Sequence, residues 1–262
     1  MTDLRHLQLV LLNMLKDVDE LCRKHNVEYF LAYGSALGAI RHKGFIPWDD
    51  DIDIMLDSVN YAKFIENAKK ELSTEKYLIQ EGLVDWPMPV SKIRLRGTRY
   101  DENDMSHNDD KNGIFIDVFK LDNVSNNAIQ AKWQYFCAKL YLSYALSERT
   151  FESANFKKKI LMLLASPLKL KCLRKFILNQ VEKYNGKNTD MYGCFYTPYR
   201  FHNSVVPSEY IGQAVYVDFE DCQMPVPQFW DKYLAYIYGD YMTLPPIEKR
   251  KHHLKYVNFG KY

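Results

Sequence analysis

Three features of the sequence predict an α+β fold, with a mixed sheet core flanked by helices and a mainly helical C-terminal half. The chain has 262 residues, of which 47% are hydrophobic and 26% charged, values typical of a folded globular protein. Strand-like and helix-like apolar patterns alternate over residues 1–122, and helical patterns dominate residues 123–262. We therefore predict a core over 1–122 and a helical region over 123–262, whose last segment, about 214–253, returns to the core.

The predicted core begins with a long amphipathic helix over residues 3–25, where apolar side chains recur at helical spacing. A buried strand follows over 27–33 and is broken by the pair Gly34-Ser35. The next elements are a short helix over 36–41, a loop over 42–48, a strand over 51–56, a helix over 61–72, strands over 77–82 and 90–97, a polar loop over 101–112 and a strand over 113–121.

The second region is predicted to contain helices over 126–150 and 156–184, and Pro167 interrupts the second of these patterns. A strand over 214–220 and a helix over 228–239 complete the prediction.

Composition excludes several classes of function. A net charge of +2 argues against nucleic acid as the main partner. The five cysteines are scattered without a C-x-x-C pair, which indicates neither a zinc site nor a disulfide framework but reduced thiols in a cytoplasm. The N-terminal segment carries charges too early for a signal peptide, and no apolar run approaches the roughly 20 residues that span a bilayer. We predict a cytoplasmic protein, at most peripheral at the inner face of the cell membrane. The 20 tyrosines are compatible with a saccharide or nucleotide site, but we interpret them as a tyrosine-rich surface.

Four aspartates, Asp49, Asp50, Asp51 and Asp53, lie between apolar runs in the segment YFLAYGSALGAIRHKGFIPWDDDIDIML. Like charges repel, and burying any of them is costly. Residues i and i+2 of a strand share a face, so Asp51 and Asp53 are expected to point together, with Asp49 beside them if the strand starts early. A divalent cation reverses this repulsion, and oxygen ligands favour Mg²⁺ or Mn²⁺. The alternative is a solvated acidic turn.

Asp117 is the only charge in the apolar strand pattern GIFIDVF. A buried aspartate costs several kcal/mol unless it is paired or bound to a metal. We predict that Asp117 is a third ligand on a strand next to Asp51 and Asp53. The alternative is an ion pair with Lys92 or Arg94.

The pair Gly34-Ser35 lies where a strand turns into a helix. Free N–H groups at a helix start bind anions, and glycine permits close approach. We predict a phosphate site here, with positive charge from Arg41 nearby.

Three blocks of the sequence carry a resemblance to a known family. They are YGSALGAIRHKGFIPWDDDIDIML, GIFIDVFKLD and MPVPQFWDKYLAYIYGDYMTLPPIEKRKHH, which begin at residues 33, 113 and 224. Together they resemble the signature of the LicD family, whose relatives include fukutin and fukutin-related protein. One departure is Lys120, where relatives usually have proline.

The resemblance implies a nucleotidyltransferase-like fold and the transfer of a phospho-alcohol from a CDP-activated donor to a cell-surface glycan or its lipid-linked precursor, with release of CMP. Phosphocholine, ribitol phosphate and glycerol phosphate are the usual cargoes. Because neither a leader nor clustered cysteines is evident, the chain resembles the bacterial branch.

On this basis we predict that Asp51, Asp53 and Asp117 hold Mg²⁺ or Mn²⁺, and that Asp117 takes the proton of the acceptor hydroxyl. The predicted donor-binding residues are Gly34, Ser35, Arg41, Lys92 and Arg94. The predicted further substrate contacts are Trp48, Asp49, Arg250 and His253. One alternative is a nucleotidyltransferase that releases pyrophosphate from a nucleoside triphosphate, and another is a binding module without catalysis.

Residues 156–181 carry seven lysines or arginines and no acidic residue. This composition predicts peripheral contact with an anionic membrane. The alternative is an ordinary pair of helices with a basic outer face.

Overall fold

The structure of the chain is a computed structural model. It describes residues 3–72, 75–86, 88–101, 112–150, 156–196, 200–252 and 254–262. Most of the loop predicted over 101–112, and also His253, lie outside these residues.

Helices and strands alternate through the first half of the chain. In order they are α1 Asp3–Lys24, β1 Phe30–Leu31, α2 Tyr33–His42, β2 Asp53–Asp57, α3 Ser58–Glu71, β3 Tyr77–Gln80, β4 Ser91–Leu95, β5 Arg99–Asp101 and β6 Phe115–Val124. The second half continues with α4 Ala128–Thr150, α5 Phe156–Leu164, α6 Lys171–Val181, β7 Met191–Gly193, β8 Val205–Pro207, α7 Ser208–Ile211, β9 Ala214–Phe219, β10 Cys222–Pro227, α8 Trp230–Tyr238 and β11 Tyr256–Asn258.

The predicted α+β class is confirmed, and the central sheet is mixed. Its path runs β1-β2-β6-β4-β3, and β7 joins the far end of β6 and pairs in turn with β8. The central pair, β2 and β6, is parallel, whereas β1, β4 and β7 run antiparallel to their neighbours. The middle of the sheet therefore contains the two strands in which the sequence places its aspartates.

The prediction of a mainly helical C-terminal half is wrong. Five strands, β7 to β11, lie beyond residue 190 in the described part, and β9 and β10 form a separate two-stranded sheet. These strands are three to six residues long, and Pro225 and Pro227 stand inside β10. Short runs with proline are weak strand signals, because proline cannot donate to a ladder and is tolerated mainly at edges. Pairing partners distant in sequence supply the missing stabilisation: β11, for example, pairs with β5.

The two faces of the central pair of strands have different roles. Ile54 pairs with Val118, and both are buried in the main hydrophobic core, into which α1 also packs. The residues one position before them, Asp53 and Asp117, lie on the other face because side chains alternate along a strand. The core therefore fixes the register that sets these two carboxylates side by side.

The helices after residue 126 build a second, smaller core. Residues of α4 and α6 pack there around Cys137, Tyr141 and Ile177. As predicted, the pattern breaks at Pro167, which lies in a 3₁₀ turn between α5 and α6. Among the described helices, none combines the length and the apolarity needed to cross a bilayer.

Candidate active site

A row of three charged side chains crosses the sheet on the face opposite Ile54 and Val118. Asp53 of β2 pairs in register with Asp117 of β6, and Asp117 pairs in register with Lys92 of β4. Neighbouring strands lie ~4.8 Å apart, so two carboxylates and one ammonium group are adjacent. The predicted pairing of Asp53 with an aspartate on a neighbouring strand is present in this row.

Negative charge is concentrated around Asp53. Burial, together with the carboxylates of Asp51, Asp117 and Asp49, raises the pKa of Asp53 well above its ordinary value. Burial and the neighbouring Asp50 raise the pKa of Asp49 to about 6. The site is therefore electrostatically short of positive charge, as expected of a place that receives a cation.

Lys92 supplies part of that positive charge. Its Nζ lies 2.7 Å from Oδ1 of Asp117 and 3.3 Å from the centroid of the Phe115 ring. The ion pair considered as an alternative for Asp117 is thus present. Asp117 Oδ1 is buried, and its contact with Lys92 is an ion pair that lacks the geometry of a hydrogen bond.

Arg94 stands two residues further along β4 and has other contacts. Its guanidinium donates to Gln80 Oε1 at 2.9 Å and to the carbonyl of Gly113 at 3.1 Å. These contacts stabilise the β3–β4–β6 region, and a role in donor binding stays a prediction.

The carboxylates fit an open magnesium site, in which the protein supplies only some of the ligands, better than a metal site formed entirely by protein side chains. In the ranges that the structure describes, no three His, Cys, Asp or Glu side chains are arranged as a complete metal site. Mg²⁺ is usually held by one or two carboxylates, with waters and substrate phosphates as its other ligands. The adjacent carboxylates of Asp53 and Asp117 meet that requirement.

The Gly34-Ser35 turn packs directly against these carboxylates. A Cβ added to Gly34 would lie 2.7 Å from Oδ2 of Asp49, so any larger residue would require the Asp49 carboxylate to shift. The Ser35 hydroxyl is buried and accepts a hydrogen bond from the backbone N–H of Asp53 at 2.9 Å. The turn thus fixes the start of β2, and phosphate binding by Gly34 and Ser35 stays a prediction.

One of the four clustered aspartates has a structural role. Asp50 is buried, and its Oδ2 accepts from the Tyr100 hydroxyl at 3.0 Å and from the backbone N–H of Leu254. It therefore ties the C-terminal segment to β5, next to the acidic cluster.

The same C-terminal segment contacts Trp48 and Arg41. The guanidinium of Arg250 lies 5.0 Å from the Trp48 ring centroid, and Arg41 donates to the carbonyl of Tyr241 at 2.6 Å. Burial, with a smaller contribution from Arg250, lowers the pKa of Arg41. Two guanidinium groups and one indole therefore lie close together, and their contact with a substrate stays a prediction, as does that of His253.

A cavity of about 550 Å³ opens over Asp53, and sequence reasoning missed it. Its aromatic lining residues are Tyr33, Phe119, Tyr196, Tyr233, Tyr236 and Tyr238. The interpretation of the tyrosines as a surface feature is wrong for Tyr233, which is 1% exposed. The only available signal was the high tyrosine content, because the lining comes from segments up to 200 residues apart.

Comparison with known proteins identifies a family. Residues 26–157 match the family model described as LicD/FKTN/FKRP, nucleotidyltransferase domain. The chain is 31% identical over 260 residues to lipopolysaccharide cholinephosphotransferase LicD of Haemophilus influenzae, and the match covers 96% of each chain. Two shorter matches are to uncharacterized proteins. The one from Rickettsia typhi is 38% identical over 65 residues, which cover 24% of this chain and 21% of the relative. The one from Rickettsia prowazekii is 50% identical over 46 residues, which cover 18% of this chain and 17% of the relative.

Proposed function

This chain belongs to the LicD/FKTN/FKRP family, and on that premise we propose that it transfers a phospho-alcohol from a CDP-activated donor to a cell-surface glycan or its lipid-linked precursor, releasing CMP. The observation that carries the proposal is the row Asp53–Asp117–Lys92 beside the Gly34-Ser35 turn. The match to the Haemophilus enzyme extends over 96% of both chains, which supports the same class of reaction.

Asp51, Asp53 and Asp117 are proposed to hold Mg²⁺ or Mn²⁺. The oxygen-only donor set and the pairing of Asp53 with Asp117 in register support this choice. When bound, the ion would neutralise charge on the diphosphate during transfer.

In the proposed reaction, the oxygen of the acceptor hydroxyl attacks the phosphorus that bears the alcohol, and the bond from that phosphorus to the CMP oxygen breaks. Asp117 takes the hydroxyl proton, and Lys92 holds the Asp117 carboxylate in place through the 2.7 Å ion pair. Lys92 and Arg41 are proposed to bind phosphate oxygens of the donor. CMP departs with the electron pair of the broken bond.

Choline phosphate is the cargo that we propose first. The Haemophilus relative is named a lipopolysaccharide cholinephosphotransferase, which supports choline phosphate as cargo and a lipopolysaccharide-type glycan as acceptor. We propose that the protein acts in the cytoplasm as a peripheral protein at the inner face of the cell membrane, where a lipid-linked precursor would be accessible.

A second reaction remains as the alternative. The matching family model is described as a nucleotidyltransferase domain, which supports transfer of a nucleotide with release of pyrophosphate. The two reactions use the same carboxylates and differ in their products.

The proposal is tested by product analysis. The protein is incubated with Mg²⁺ and CDP-choline, CDP-ribitol or CDP-glycerol, and CMP is quantified by chromatography; parallel reactions contain CTP and phosphocholine, with a pyrophosphate assay. We expect slow CMP release by hydrolysis and no pyrophosphate. Asp53→Asn should lose CMP release, whereas the control Asp218→Asn, at an exposed position of β9, should retain it. Pyrophosphate without CMP would establish the alternative.

A further inference from the structure

The aromatic cavity described above lies on the same side of the sheet as the acidic row. Met55 and Phe119 follow Asp53 and Asp117 by two residues and pair with each other in register, so all four side chains share one face. Asp53 and these two residues line the cavity. A donor whose diphosphate lies at the carboxylates can therefore extend its alcohol part into the cavity.

The walls of the cavity carry little charge and are rich in aromatic rings, and His202, Asn203 and Ser204 supply further polar groups. Among the described lining residues, Asp53 carries the only carboxylate, and no lysine or arginine is present. Tyr33 and Phe119 meet edge to face at 5.3 Å between centroids. An aromatic box with one carboxylate is the chemistry that binds quaternary ammonium groups.

The rings are held in place by internal contacts. The backbone N–H of Tyr33 donates to the Tyr233 hydroxyl at 3.3 Å, and that hydroxyl lies 3.6 Å from the sulfur of Met55. Tyr33 has φ of 43°, an uncommon value for a residue other than glycine, and such strain is typical of functional positions. The hydroxyl of Tyr196 is buried and has no hydrogen-bond partner among the described residues. The internal contacts therefore make the aromatic wall a preformed surface.

We propose that this cavity binds the trimethylammonium end of the donor and thereby selects choline over other alcohols, an inference that rests on the proposed function. Trimethylammonium has no N–H donors, and its methyl groups suit aromatic faces. The hydroxyls of ribitol or glycerol would have to give up water against these aromatic faces, whereas trimethylammonium has no such hydrogen bonds to lose.

Titration calorimetry without acceptor tests the proposal. CDP-choline is compared with CDP-ethanolamine, which has the same charge but a strongly hydrated ammonium, and with CDP-glycerol. We expect CDP-choline to bind at least about tenfold more tightly than either, a ratio that corresponds to ~1.4 kcal/mol. Phe119→Leu should reduce this preference about tenfold, because it removes an aromatic face while keeping an apolar side chain. Its control is Phe229→Leu, an exposed phenylalanine outside the cavity lining.

Tyr236→Leu, at a partly exposed wall position, replaces Phe119→Leu if that variant does not fold. The inference is overturned if CDP-choline and CDP-glycerol bind equally well. It is also overturned if Phe119→Leu, or Tyr236→Leu in its place, weakens the binding of all three donors alike. The proposed function can fail while this inference stands. In that case no CDP-alcohol yields CMP, but the preference for CDP-choline and its dependence on Phe119 persist.

A different observation carries a second inference. Helices α4, α5 and α6 expose apolar side chains at helical spacing: Ile129, Trp133 and Phe136 in α4, and Phe156, Ile160 and Leu163 in α5. Leu170 and Phe176, before and within α6, are 62% and 51% exposed, and the exposed Lys169, Lys171 and Lys175 lie beside them. Apolar side chains interleaved with lysines, and a tryptophan among them, are typical of helices that lie in a membrane interface.

The geometry points to an anionic lipid surface as the occupant of this face, which we define as the exposed side of α4, α5 and α6. Charge complementarity decides between occupants, because residues 156–181 carry seven basic and no acidic residues, an arrangement that would repel a second copy of itself. Peripheral binding would hold the active site near a lipid-linked acceptor.

Vesicle co-sedimentation tests this inference. We expect the protein to bind phosphatidylglycerol vesicles at low salt, to bind phosphatidylcholine vesicles at least about tenfold less, and to be released as salt screens the attraction. The triple variant Leu164→Ser, Leu170→Ser, Phe176→Ser should lose binding. The matched control, Val84→Ser, Met242→Ser, Ile247→Ser, removes equally exposed apolar side chains elsewhere and should retain it. The inference is overturned if the wild-type protein does not bind the phosphatidylglycerol vesicles, or if the control variant loses binding equally. It is also overturned if the protein is a dimer in solution that the triple variant at Leu164, Leu170 and Phe176 dissociates and the control does not.

Discussion

Replacing Lys92 by methionine should make the stability of the protein depend on magnesium. Lys92 Nζ lies 2.7 Å from Asp117 Oδ1, and in the substituted protein this carboxylate would stand beside Asp53 without its ammonium partner. Methionine keeps most of the apolar side chain over Phe115. The loss is therefore one of charge, and a divalent cation bound by Asp53 and Asp117 should compensate it.

The size of the effect follows from the burial of the pair. Removing one partner of a buried ion pair costs about 3–5 kcal/mol. The side chains of Lys92 and Asp117 are 12% and 18% exposed, so we expect a smaller loss of ~2–3 kcal/mol. For a chain of this size, ~1 kcal/mol shifts the melting temperature by about 2–4 °C. Magnesium at 100 times its Kd should restore ~2.7 kcal/mol, and thus most of the loss.

Thermal unfolding of Lys92→Met with and without Mg²⁺ measures both quantities. The matched control is Lys120→Met. Lys120 lies on β6, as Asp117 does, but outside the acidic row. Its Nζ also pairs with a buried aspartate, Asp122 at 3.3 Å, and with Glu182. Lys120→Met should lose stability without magnesium recovering it. The reasoning is refuted if the two variants respond equally to Mg²⁺, or if Lys92→Met is as stable as the wild type in EDTA.

Three further predictions concern the site and its supports. Asp53→Asn should lower CMP release at least about 100-fold, the order of effect that follows removal of one electrostatic contact to a transition state, while the circular dichroism spectrum is unchanged. Gly34→Ala should lower the free energy of unfolding in urea by ~1–3 kcal/mol, because its Cβ would lie 2.7 Å from Asp49 Oδ2; unchanged stability would mean that the turn is not tightly packed. The hydrogen bond from Arg5 at 2.6 Å lowers the pKa of Glu220 from 4.5, so this pair stabilises the fold above pH 4.5 and loses that effect as the pH falls. Glu220→Gln should therefore cost about 1 kcal/mol at pH 7 and progressively less as the pH falls below 4.5 in denaturant titrations, and a cost that does not change with pH would contradict the assignment.

The part of the site that the sequence predicts depends on patterns within a strand. Asp53 and Asp117 each interrupt an apolar run, and period-two alternation sets each carboxylate opposite to its core-facing neighbours. The register that brings them together with Lys92 is a property of three strands from separate parts of the chain. Sequence reasoning offered the ion pair and the metal as competing explanations for Asp117; the structure contains the ion pair, and the metal stays a prediction.

The rest of the site could not be predicted because it depends on contacts between distant segments. The cavity wall combines Tyr33 with Tyr233, whose hydroxyl accepts from an N–H 200 residues away. Each tyrosine in isolation has the pattern of an ordinary surface or core residue. The strand β10 was missed for a related reason, since its prolines weaken the local signal and β9 provides the pairing.

Anomalous diffraction from crystals grown with Mn²⁺ and CDP-choline tests the metal site most directly. We expect a manganese peak within about 2.0–2.5 Å of carboxylate oxygens of Asp53 and Asp117, with diphosphate oxygens as further ligands. A crystal that binds the donor while its manganese lies elsewhere, with Asp117 still paired only to Lys92, would contradict the account.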